Sequence, residues 1–281
     1  MHFNFNFTTV QTLWTLTFAS LLVLLVVLLG RDRVRRFPWF TASIVMVALR
    51  LLANRLLFNR LPQITMGEIF IVMADLSALM GLLVIVELAR RAFVGVQRRT
   101  WILDGLILLA LGGGVLAAWG PWPAAKSLAF DTLMAKLTLL QLLAQKIGLL
   151  VDVLTVGLGL LVVLFGRRYG AGWRSHVQQI VIGLSTASLA QMAAQGIWQI
   201  IVRTAAQPHS EAEYLRVVGL REKLFNANSV VYVAVVVWWI ACLWIDEPGA
   251  PALAAEQVPA GAGLSQGDVP ASVELPQDVQ E

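Results

Sequence analysis

Several ionisable side chains stand inside stretches that are otherwise apolar. Arg50 and Arg55 lie in ALRLLANRLL, Glu68 and Asp75 in MGEIFIVMADLSALM, and Asp152 in KIGLLVDVLTVG. Such groups cost free energy in hydrocarbon, so they mark ion, proton or ligand sites unless they pair with one another. A second set is neutral. In SLAQMAAQGIWQI, Ser188, Gln191, Gln195 and Gln199 recur at three and four residues, which puts them on one face of a helix. Asn226, Asn228, Ser229 and Tyr232 open the last apolar run. The chemistry available is charge pairing, hydrogen bonding and proton or cation binding. It is not metal or covalent chemistry: His2, His176 and His209 are scattered, Cys242 is alone, and no Ser–His–Asp grouping falls at one depth. LGGGVLAAWG at 111–120 follows no strand, so it is read as close helix packing and not as a phosphate loop. No cofactor and no catalytic constellation is expected.

The elements that must position these groups follow from composition. Fifty-eight percent of residues are hydrophobic and 14% charged, and the mean hydropathy is +0.74. Apolar runs long enough to cross a bilayer recur, and a chain in lipid must satisfy its backbone within each span, so helices are the default. The expected fold is all-α: a polytopic seven-helix transmembrane bundle over 1–246, with spans at about 11–29, 38–58, 66–89, 101–119, 147–165, 178–201 and 228–245. The N-terminus has no basic stretch before its apolar run and is not read as a cleaved signal. The amphipathic segment before the fifth span is either an interfacial helix or an outward extension of that span. Residues 247–281 hold five of the ten prolines and no Lys or Arg, which predicts a disordered acidic tail.

Basic residues set the orientation. Arg31, Arg33, Arg35 and Arg36, then Arg90, Arg91, Arg98 and Arg99, then Arg167, Arg168 and Arg174 occupy alternate connections. Positive-inside places the N-terminus outside and the C-terminus in the cytoplasm. The net charge of +4 sums these turns with the acidic tail and is no nucleic-acid signal.

Depth then matches the charges. Arg50 lies about 18 Å above the inner end of the second span and Asp75 about 16 Å above the same edge, at 1.5 Å per residue. Arg55 and Glu68 match at about 26 and 27 Å. Two intramembrane ion pairs, Arg50–Asp75 and Arg55–Glu68, are therefore expected. Asp152 is the acid left over, at a depth close to Gln191, with Ser188 on the same face of the sixth span. With Gln195 and Tyr232 these residues define an expected polar pocket in the outer half, above an inner half of Leu, Val and Ile. The same side chains also serve as interhelical hydrogen-bond glue, at around 0.6 kcal/mol each. Glu87, beside Arg90 and Arg91 at the inner edge, is read as structural.

Seven helices with these termini resemble the layout of rhodopsins, but the last span NSVVYVAVVVWWIACLWI has no lysine for a retinal Schiff base. The layout is similar to the seven-helix sensory region of bacterial histidine kinases, without an output domain after Trp244. The chain also resembles an uncharacterised bacterial family of seven-span membrane proteins up to its tail. That layout implies a sensor or receptor-like protein of the bacterial inner membrane, addressing a cytoplasmic partner through its tail or basic turns. The alternatives are an accessory subunit of a larger membrane complex and a small-molecule or proton transporter. The bilayer is the expected partner in each; ligand and oligomeric state are not specified by the sequence.

Overall fold

The computed structural model describes residues 8–57, 60–93, 105, 109, 111–115, 118, 133–165, 175–204 and 210–246. Every regular element among these is an α-helix: α1 (Thr9–Gly30), α2 (Arg33–Arg36), α3 (Pro38–Leu57), α4 (Gln63–Ala92), α5 (Leu133–Phe165), α6 (His176–Thr204) and α7 (Glu211–Trp244). All but α2 are long and apolar enough to cross a membrane, which makes this a multi-pass membrane protein. Of the expected fourth span, residues 105, 109, 111–115 and 118 are helical. The rest of that span, the basic residues Arg98, Arg99, Arg167, Arg168 and Arg174, and the tail 247–281 lie outside the described residues.

Local chemistry explains where the helices begin. Thr8 and Gln11 form a reciprocal capping box that satisfies two backbone donors at the start of α1. Ser210 accepts from the Glu213 backbone N–H at 3.3 Å and starts α7. That cap lies well before the expected start of the last span at residue 228, because hydropathy reads past charged turns that a helix accommodates. Likewise α5 is one unbroken helix from Leu133, so the amphipathic segment extends the span and is not a separate interfacial helix. With 33 and 34 residues, α5 and α7 run roughly 50 Å, against a hydrocarbon core of about 30 Å.

The long helices close into a ring in the order α1, α3, α4, α5, α6, α7 and back to α1. Contacts fix their directions. Trp14 on α1 donates to the Leu51 carbonyl on α3 at 3.3 Å, and Phe40 on α3 meets Glu87 on α4, so these neighbours are antiparallel. Ser185 on α6 donates to Thr155 on α5, and Asn228 on α7 donates to Gln191 on α6, so α5, α6 and α7 alternate. In contrast α4 and α5 run parallel: Gly67 and Gln141 flank one end of a shared cavity, while Gly81 lies against Val151 further along both helices.

The core occupies the end of the ring that carries Arg31–Arg36, Arg90 and Arg91, hereafter the basic end. Leu24, Leu28, Phe37, Phe40, Leu88, Val162, Ile180, Trp239 and Leu243 are essentially inaccessible there. Helices in lipid gain little from hydrophobic transfer against one another, so close packing decides their association. Gly159 lets α5 approach the Ser185 side chain of α6, and Gly183 lies under the Trp239 indole, which meets Phe40 edge-on at 5.2 Å. The adjacent tryptophans Trp238 and Trp239 are thus split, with Trp239 in the core and Trp238 exposed. In the GGG run only Gly112 packs closely, against Leu150 on α5; Gly113 and Gly114 meet nothing among the described residues.

The basic end is also more polar than its sequence suggests. Glu87, His176 and Gln178 are buried. His176 Nε2 lies 3.0 Å from the Ile245 carbonyl and ties α6 to the end of α7. Asp246 then pairs with Arg33 at 2.8 Å and Arg31 at 3.5 Å, which fastens the end of α7 to the turn after α1. Asp32 makes that turn with φ 51, a left-handed conformation that Asp tolerates.

Candidate functional site

At the other end of the ring the helices separate around a cavity of about 530 Å³. Its polar lining comes from Arg50 on α3, Ser77 on α4, Gln141, Gln145 and Asp152 on α5, and Gln191 and Gln195 on α6. Phe70, Ile71, Ala74 and Ala78 supply an apolar wall from α4. Its volume falls within the range of about 300–1,000 Å³ usual for small-molecule sites.

Among the expected pocket residues, Asp152, Gln191 and Gln195 line the cavity. Ser188 stands behind them as the hydrogen-bonding neighbour of the Asp152 carboxyl. Tyr232 on α7 packs against the core, within electrostatic reach of Arg50. Asn228 Nδ2 donates to Gln191 Oε1 at 2.5 Å, which fixes that amide at the α6–α7 seam.

The two expected ion pairs are not formed: among the described residues no ion pair joins Arg50 to Asp75 or Arg55 to Glu68. The reason is azimuth. Depth matching uses one coordinate, but residues five apart on a helix point about 140° away from each other, so Arg50 and Arg55 do not both face α4. Arg50 turns into the cavity. Arg55 turns toward α1, where its guanidinium lies 5.9 Å from the Trp14 ring centroid. On α4, Asp75 points about 100° from Ala74 and off the cavity wall; its Oδ1 is buried without a hydrogen-bond partner among the described residues.

Glu87 is structural, as expected, but by a different route. It is buried, with Oε2 accepting the Phe40 backbone N–H at 3.0 Å and Oε1 lying 3.6 Å from Arg91. Arg91 in turn sits over the Phe37 ring at 5.2 Å.

Ser77, Gln141 and Gln145 are site residues that apolar-run reading passes over. A signal for the glutamines exists: Gln141, Gln145, Gly148 and Asp152 recur at four, three and four residues, one continuous stripe. It becomes visible only once α5 is known to begin at Leu133 and not near 147.

No protein-family model, curated protein or solved structure matches the chain. Among the described residues no three His, Cys, Asp or Glu converge as metal ligands.

Proposed function

We propose that this protein is a seven-span sensor of the cytoplasmic membrane, with the cavity open to the outside and the basic end facing the cytoplasm. The observation that carries the reading is the pairing of a polar cavity at one end of the ring with a close-packed core at the other. A sensor needs that division: a site for ligand on one side and a tight, two-state packing on the other that a ligand can bias.

The span count draws support from helix direction. Since α4 and α5 run parallel, the chain between Phe93 and Leu133 has to return from the basic end to the cavity end. One more crossing by residues 101–119 accomplishes this. Orientation rests on the arginines of the basic end, through the preference of Lys and Arg for the cytoplasmic side. On this reading the acidic tail and the basic turns address a cytoplasmic partner.

A second reading, an accessory subunit of a larger complex, is favoured by the N-terminal part of α7. There Tyr214, Leu215 and Val218 are exposed on a helix longer than a bilayer requires. One experiment separates the two. Cys242 is the only cysteine, so Cys242→Ala gives a silent background for Ser77→Cys on the cavity wall and Leu158→Cys in the core. Labelling of intact cells with a membrane-impermeant maleimide is expected at Ser77→Cys and not at Leu158→Cys. Equal inertness of both would mean a sealed cavity, and with it the subunit reading.

A further inference from the structure

The two charged residues that line the cavity have opposite sign, come from different helices, and do not pair. Arg50 projects from α3 and Asp152 from α5, with no ion pair between them among the described residues. Arg50 is exposed and Asp152 half-buried beside Ser188, and among the described residues neither has an ion-pair partner; a lone charge of either sign at this depth of a bilayer carries a cost. A ligand placed between them removes both costs only if it carries both charges. A simple cation competes with Arg50 for Asp152 and leaves the guanidinium uncompensated; a simple anion leaves the carboxylate uncompensated. Oppositely charged walls thus select by penalty as well as by attraction.

We infer that the cavity binds a small zwitterion, its carboxylate or phosphate held by Arg50 and its ammonium by Asp152. The guanidinium fork matches a two-oxygen anion in a bidentate pair. At the other end, Asp152 and the side-chain carbonyl of Gln195 are acceptors for the ammonium hydrogens, with Gln191 Oε1 already engaged by Asn228. The apolar α4 wall at Phe70 and Ile71 faces whatever side chain or methylene the ligand carries. Free α-amino acids and the ethanolamine-phosphate headgroup of a lipid share this chemistry. The inference rests on the open cavity proposed above.

The test uses the purified full chain in nanodiscs of anionic phosphatidylglycerol, with melting followed by tryptophan fluorescence. Three probes are compared: a mixture of free α-amino acids, the same acids as methyl esters (amine only), and the same acids N-acetylated (acid only). Half-saturation by the free acids at a concentration at least tenfold below either blocked set is expected. Arg50→Gln should abolish that preference over the esters, and Asp152→Asn the preference over the N-acetyl acids. Should the double exchange Arg50→Asp with Asp152→Arg regain the zwitterion preference, misfolding of the single variants is excluded as the cause. If soluble zwitterions do nothing but phosphatidylethanolamine nanodiscs raise the melting point in a manner lost in both single variants, the same chemistry comes from lipid. Equal response to zwitterion and ester, or no response to soluble zwitterion or headgroup, overturns the inference. Labelling at Ser77→Cys keeps the two failures distinct: a labelled but zwitterion-blind cavity sinks only this inference, whereas an unlabelled one sinks the open-cavity reading beneath it.

Discussion

Glu87 Oε2 accepts the backbone N–H of Phe40 at 3.0 Å, so a carboxylate on α4 caps the first turn of α3. Pro38 opens that helix and has no N–H to offer. The remaining first-turn donors are orphans, and α3 has no Ser, Thr, Asp or Asn at its own start to meet them. Because the cap is also buried against Arg91, removing it strands a guanidinium and a backbone donor together. Glu87→Leu is expected to cost about 1.5–3 kcal/mol, the range for a hydrogen bond to a charged group, and Glu87→Gln less than half of that. Melting of purified variants in mild detergent reads the difference; wild-type stability in Glu87→Leu would refute the capping role.

The glycine at 183 is a packing requirement. A Cβ there meets the Trp239 indole, the largest fully buried side chain among the described residues. Gly183→Val should destabilise by about 1–3 kcal/mol through overpacking. Trp239→Leu in the same chain should recover part of that loss, because the two changes share one volume. Additive losses in the double variant would show that the α6–α7 contact lies elsewhere.

Arg55 offers a test of azimuth against depth. A double-mutant cycle between Arg55→Leu and Trp14→Leu should return a coupling of about 0.5–1 kcal/mol for a cation over an aromatic ring. The cycle between Arg55→Leu and Glu68→Gln should return none. A larger coupling to Glu68 than to Trp14 would restore the ion pair that depth alone suggests.

The Asn228–Gln191 hydrogen bond joins α7 to α6 beside the cavity. Asn228→Leu is expected to cost about 0.6–1.7 kcal/mol, as interhelical hydrogen bonds in membranes do. Gln191→Leu should cost a similar amount, and the double variant no more than either alone. The check is denaturation in mixed micelles, where full additivity would mean that the two amides act independently.

The seven-span reading predicts opposite accessibility for residues on the two sides of the expected fourth span. In a Cys242→Ala background, Ser127→Cys should react with an impermeant thiol reagent on intact cells, and Gln97→Cys only after lysis. Labelling of both from the same side would remove the fourth crossing and leave six.

Much of this architecture is present in the sequence, for identifiable reasons. Apolar runs bounded by arginines specify helices and their alternation, because a backbone in lipid has no other way to satisfy its polar groups, but not the early starts of α5 and α7, whose first turns are amphipathic or charged. Depth is equally legible, since the rise per residue is fixed; spacing alone sets Asp152 level with Gln191, and both side chains line one cavity. Rotation about the helix axis is not legible. The level match of Arg50 with Asp75 and of Arg55 with Glu68 says nothing about which neighbour each side chain faces. Only the ring order, with α3 between α1 and α4, sends Arg55 to Trp14 and Arg50 into the cavity. The long-range cap from Glu87 to Phe40 and the seat of Trp239 over Gly183 are likewise decided by tertiary structure. Each depends on the distance between two helices, and close packing of particular side chains sets that distance.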